Sequence, residues 1–248
     1  MLRRSAMLLC AVAIVGGVAA SAAGALGSRT RVPFTGGRGV DPANFVPVID
    51  NPYFPLTPGT TLVYEGTSDG QRQHDEMTVT HRTKVILGIR CTVVTDVLTT
   101  PQGALLERTE DWYAQDHAGN VWYFGEDTAE YEDGIIVSTE GSWKAGVDGA
   151  EPGILMQAHP GVPSTYRQEF YRGHAEDMAW VVSSTESVTI DYGSFDHVLL
   201  TIEWTRLEPK VIERKYYARG IGVIREVTAA GANEQSDLVA IRTEATGT

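Results

Sequence analysis

The sequence predicts an all-β protein, an antiparallel meander forming a barrel or curved half-barrel as a single domain. Three observations carry this. About a dozen segments of roughly 5 to 12 residues, rich in Val, Ile, Thr and aromatics, follow one another along the chain. Clusters of Gly, Pro, Asp and Asn separate them at short spacing. No long segment reads at helical period, and ALLERTEDWY and AEDMAWVVS are the modest helix candidates. Sequential strands joined by short turns pair with their neighbours, and that topology leads to barrels, half-barrels or sandwiches.

The first 27 residues stand apart and read as a secretory signal peptide. Arg3 and Arg4 precede an apolar run from Ala6 to Ala20, and small-residue cleavage sites follow at Ala20 to Ala22 and Ala23 to Ala25. The run is rich in Gly and Ala, lacks a positive flank on its far side and is short for a membrane span. A secreted or extracytoplasmic, cell-envelope location is therefore expected, with no integral membrane span after signal removal. Cys10 leaves with the signal, so Cys91 is alone and an internal disulfide is excluded. Its β-branched neighbours in VILGIRCTVV mark it as a buried structural thiol.

Residues 28–50 carry Pro and Gly without periodicity and read as an extended tether ahead of a β domain at 51–248. Without Arg3 and Arg4 the chain holds 18 basic against 32 acidic residues, a charge of −14. Such a field repels nucleic acid and anionic membrane surfaces and leaves neutral or cationic ligands as partners.

The segments TLVYEG, HDEMTVTHR, TKVIL and IRCTVVTDVLTT open the domain as strands. Gly66-Thr67-Ser68-Asp69-Gly70 matches the nucleophile-elbow string, but a second strand pattern follows it where a helix is required, so it reads as a hairpin turn. Next come LLERTEDWYAQD and VWYFGE, joined by Asp116-His117-Ala118-Gly119, the chemistry of a three-residue hairpin loop. That turn sets Asp116 opposite Asn120, Ala114 opposite Trp122, Trp112 opposite Phe124 and Glu110 opposite Glu126, with Tyr113 and Tyr123 paired on the other side. The two-residue turn at Asp133-Gly134 pairs Tyr131 with Ile136 and Asp127 with Glu140. The expected result is an aromatic stripe of Trp112, Trp122 and Phe124 ending in an acidic mouth of Glu110, Glu126, Asp127 and Glu140. Hard cations want several oxygen ligands, so a structural calcium is the cofactor this cluster would take; no other cofactor is expected.

Residues 141–164 hold five glycines and three prolines and no convincing strand. Trp143 and Met156 make the segment too apolar for disorder, which predicts a lid loop across the sheet. His159 and His174 flank that lid, and His174 shares one strand face with Glu176, a pattern that would suit a metal site with one more ligand. TYRQEFYR, MAWVVSSTESVTI, FDHVLLTIEWTRL, VIERKYYAR, GVIREVTAA and SDLVAIRTE complete the strands.

With NPYFPLTPGTTLVYEG, DWYAQDHAGNVWYFGED and KYYARGIGVIRE, residues 51–227 resemble a recurring group of exported bacterial proteins for which no activity is established. The resemblance implies export and a β-rich fold and transfers no catalytic residue. A looser likeness of architecture links the chain to half-barrel lipid carriers of the bacterial envelope. The expected function is non-catalytic binding of a small hydrophobic or amphipathic ligand, or of an envelope component, by the stripe, the mouth and the lid. Two alternatives stand beside it: a secreted enzyme acting on carbohydrate through paired carboxylates, and a surface interaction module without a pocket.

Overall fold

The computed structural model describes residues 40–244. The expected signal peptide at 1–27 and residues 28–39 of the expected tether lie outside them. From residue 40 onward the chain belongs to the domain: after a 3-10 turn at Pro42–Asn44, β1 (Phe45–Val46) pairs with β5 (Leu105–Asp116), and Ile49 is buried.

Two antiparallel meanders form one sheet. The first runs β2 (Thr60–Ser68), β3 (Gln71–Ile86), β4 (Ile89–Thr99), β5 and β6 (Val121–Glu132). The second runs β12 (Asp177–Ile190), β13 (Gly193–Thr205), β14 (Ile212–Ala218), β15 (Gly222–Ala230) and β16 (Glu234–Thr243), and β16 pairs with β2. Asp69-Gly70 and Asp133-Gly134 turn with positive φ at both residues (49° and 77°, 52° and 77°), the left-handed backbone that Asp and Gly tolerate best. The pentapeptide at 66–70 is thus a hairpin turn, as its flanks predict, and Ser68 is buried with its hydroxyl donating to Glu234 at 2.8 Å.

The sheet nearly closes on itself. β10 (Ser164–Arg167) pairs with β12, and two residues on, β11 (Glu169–Phe170) pairs with β9 (Glu151–Met156), which pairs with β6. One stretch of chain therefore changes partners midway, and a single unsealed seam remains where β9 and β12 fail to pair. The all-β barrel class agrees with the sequence expectation; the two helix candidates are strands β5 and β12.

The lid expectation is corrected. Within residues 141–164, β8 (Trp143–Lys144) and β9 extend the wall beside β6, and Trp143, Leu155 and Met156 are buried. Glycine makes this wall feasible: a Cβ on Gly153 would lie 2.3 Å from the Gln168 carbonyl. The strands were hidden in the sequence because two and six residues interrupted by Gly and Pro show no alternation.

A bulge in β6 corrects the register as well. Ala114 faces Trp122, Tyr113 faces Tyr123, and Tyr131 faces Ile136 as expected, but Glu110 faces Asp127 and Asp111 faces Glu126. Gly125, at φ 123°, is the extra residue; a Cβ there would sit 2.2 Å from the Trp143 carbonyl oxygen. One inserted residue exchanges the two faces of a strand from that point on. Past the Asp133-Gly134 turn a second shift pairs Glu130 with Ser138, where β7 (Ile135–Ser138) ends, so Asp127 and Glu140 do not pair.

Candidate functional site

The aromatic stripe lies on the outside of the barrel wall and is covered. Phe45 packs edge-on against Trp122 and Phe124, with ring centroids 6.1 and 5.6 Å away, and the Lys84 ammonium sits 3.3 Å above the Trp112 ring. Trp112, Trp122 and Phe124 are 3%, 9% and 0% exposed. Residues 50–54 close one end of the barrel. The Asp50 and Asn51 backbone N–H groups donate to Gln115 Oε1, the Asn51 amide donates to the Gly119 and Gln157 carbonyls, and Phe54 packs edge-on against Tyr113. The apolar cavity beneath this cap measures about 10 Å³, and Leu62, Tyr64 and Met77 help to line it.

The acidic mouth does not assemble. Glu110 stays on the outer face, paired with Arg82 at 2.8 Å, while Asp127 and Glu140 are exposed. Glu126, turned inward by the Gly125 bulge, is 1% exposed. His159 and His174 are exposed, and His174 stacks on Tyr171 in the turn after β11. Glu176 caps that same turn by accepting the Gly173 N–H, so the two residues do not share a strand face. Among the described residues, no three His, Cys, Asp or Glu side chains converge as metal ligands do. Cys91 is buried and its thiol is pushed up to about 12 by burial. No helix of the described residues is long and apolar enough to cross a membrane.

What the tertiary structure brings together instead is an acidic interior. In β3 alternate residues Gln73, Asp75, Met77 and Val79 are buried; in β5 the inward series runs Glu107, Thr109, Asp111 and Tyr113. Asp96, Glu203 and Glu226 are buried too, each opposite an inward residue of its neighbouring strand. Lys215 is the buried cation among them, 3.0 Å from Glu203, 3.9 Å from Glu226 and 4.0 Å from Glu213.

Low dielectric and crowding govern the chemistry here. Burial, reinforced by neighbouring Asp96 and Glu130, pushes Glu107 up to about 8, although the Thr109 and Thr128 hydroxyls donate to it at 3.2 Å. Burial raises Asp111 to about 7 against the 2.7 Å hydrogen bond from Tyr123, and Asp75 rises well above the carboxylate range through burial and then Asp96. Asp177 and Glu213 also rise to about 7, mainly by burial. A carboxyl group desolvated beside other carboxyls keeps its proton or finds a cation.

Beside the seam this condition is sharpest. A cavity of about 10 Å³ is bordered by Tyr123, Gln168, Glu169, Asp177, Glu203 and Lys215. Both carboxyl oxygens of Glu126 and the Tyr166 hydroxyl are buried without a hydrogen-bond partner, while the Trp143 indole N–H interacts with the Glu169 carboxyl. Burial raises Glu126 and Glu169 well above the usual range, and Asp111 and Asp177 add repulsion. Glu126 and Trp143 belong to the sequence-predicted set. Asp177 belongs to the carboxylates considered for the carbohydrate-enzyme alternative; Glu169, Asp111 and Lys215 were missed, though period-two alternation signals two of them: Asp111 follows the parity of Tyr113, and Lys215 that of Tyr217.

The chain matches no family model and no curated protein. Two solved structures resemble it. A protein of Bacteroides fragilis, described as exported and with a YmcC-like fold, is 16% identical, with a TM-score of 0.45 over 77% of this chain and 99% of that one. A protein of Parabacteroides distasonis, described as a lipoprotein, is 12% identical, with a TM-score of 0.42 over 77% and 98%.

Proposed function

We propose that this is an exported, non-catalytic binding protein of the cell envelope whose ligand site is the acidic interior beside the seam. The ligand is small and brings positive charge, as a free cation or as the head of an amphipathic molecule. Export rests on the basic and apolar pattern of residues 3–25. One observation carries the choice of site: Glu126 and Glu169 are nearly inaccessible to water, both carboxyl oxygens of Glu126 lack hydrogen-bond partners, and Glu169 borders the cavity beside the seam. A buried polar group left unpaired costs about 1–3 kcal/mol, and a charged one more, so a ligand that satisfies these groups binds with that free energy in its favour.

Native mass spectrometry of the exported protein from its own host tests this reading. A positively charged small species should co-purify with the wild-type chain and be absent from the Glu126→Gln, Glu169→Gln double variant. A wild-type chain that carries no such species, and takes none up from added amines or metal salts, refutes it.

A further inference from the structure

We propose that β8 and β9 form a gate in the barrel wall, which loosens when Glu126 behind it gives up its proton. The gate gives the interior an entrance, and it is tested without a ligand. Short ladders hold it. β8 meets β6 at Gly125–Lys144 and Glu126–Trp143, and β9 meets β6 at Val121–Met156, Trp122–Ile154 and Tyr123–Gly153. On its other edge β9 meets β11 at Pro152–Glu169 and Glu151–Phe170, where proline has no N–H to donate, and beyond these residues the edge faces the seam. The meander strands pair over much longer ladders, as β2 does with β3 from Thr61–Thr78 to Ser68–Gln71.

Trp143 is the latch. Its backbone lies beside Glu126, its ring packs edge-on against Tyr123 with centroids 5.4 Å apart, and its indole N–H interacts with the Glu169 carboxyl. Glu126 is the group placed to release it. The side chain is buried, and neither of its carboxyl oxygens has a hydrogen-bond partner.

The charged groups that face Glu126 from the surrounding strands are carboxyls. Asp111 is its register partner in β5, with Glu107 on the same strand; Glu169 faces it from β11 and Asp177 from the start of β12. Cations nearby are engaged or outside. Lys215 lies 3.0 Å from Glu203, Arg167 is paired with Glu151 of β9 at 2.8 Å, Lys84 covers Trp112 on the outer face, and Lys144 is exposed. A carboxylate formed at Glu126 therefore meets repulsion without a donor or a counter-charge, and parting the short ladders admits the water that relieves it.

The direction of the pH dependence follows. Burial raises Glu126 well above the usual range and Asp111 and Asp177 to about 7. The closed wall keeps these protons and an opened one releases them, so closure is strongest at acidic pH and is lost as pH climbs through 7 and above.

Hydrogen exchange of the full exported chain, read by mass spectrometry at pH 5.5 and 8.5 and corrected for the intrinsic rate at each pH, tests the gate. Between the two pH values the protection of residues 143–156 should fall about tenfold or more beyond that of β2 and β16, which lie farthest from the seam in the strand order. Glu126→Gln has no proton to lose there and should keep the gate protected at pH 8.5, while the exposed-site control Glu140→Gln should match wild type. Should Glu126→Gln fail to fold, Asp111→Asn, which removes the charge opposite Glu126, carries the same comparison. Equal protection of residues 143–156 at both pH values overturns the proposal. A loss spread evenly over all strands, or one that persists unchanged in the variant, overturns it as well. Because no ligand takes part, these outcomes leave the binding reading to its own mass spectrum.

Discussion

Replacing Glu107 by Gln should change how stability depends on pH. In the fold this carboxyl is buried at 5% exposure, faces Asp96 and Glu130, and rises from 4.5 to about 8. The unfolded chain ionises it near pH 4.5, whereas the native chain keeps the proton until near pH 8. A group raised in this way contributes stability that is complete below pH 4.5 and is lost as pH climbs to 8. At roughly 1.4 kcal/mol per pH unit over about 3.5 units, the loss from this one group is on the order of 5 kcal/mol. Gln keeps the shape and one amide for the Thr109 and Thr128 hydroxyls, and it has no proton to lose. Urea unfolding in chelator-containing buffer from pH 5 to 8.5 is the assay. Wild type should lose stability steadily toward alkaline pH, and Glu107→Gln should show a slope shallower by about 1.4 kcal/mol per unit below pH 8, becoming the more stable protein at pH 8. Equal slopes, or a wild type that gains stability as pH rises, would refute a protonated Glu107.

Four further outcomes follow from the same structure. Lys215→Met leaves Glu203, Glu213 and Glu226 without their buried cation and should cost about 3–5 kcal/mol at pH 7.5, less at pH 5 where Glu213 and Glu226, both raised by burial, take up protons; denaturation at both pH values measures it. Gly125→Ala forces a Cβ against the Trp143 carbonyl and should destabilise by more than about 2 kcal/mol, with a change in tryptophan fluorescence as β8 detaches. Asn51→Leu removes donors to two carbonyls and the acceptor for the Tyr53 N–H, and should cost about 2–4 kcal/mol by thermal melting. Cys91 should resist a thiol reagent at pH 8 until denaturant is added, because its thiol is buried and pushed up to about 12.

The sequence by itself determined the class of fold, because strand alternation and Asp-Gly turn chemistry are local and survive without neighbours. The hairpins at Asp116 to Gly119 and Asp133-Gly134, the turn at Asp69-Gly70 and the burial of Cys91 were all legible in this way. Tertiary structure alone decided which face of each strand is the inside. Trp112, Trp122 and Phe124 look like a pocket when β5 and β6 are read as an isolated ribbon, yet Phe45, far away in sequence, covers two of them. Gly125 becomes a bulge because the Trp143 backbone crosses it, and that single insertion carries Glu126 from an expected solvent rim into the interior. Register beyond a bulge depends on a contact that no local pattern encodes, and the acidic interior exists because the barrel curls its strands so that inward parities meet across the lumen.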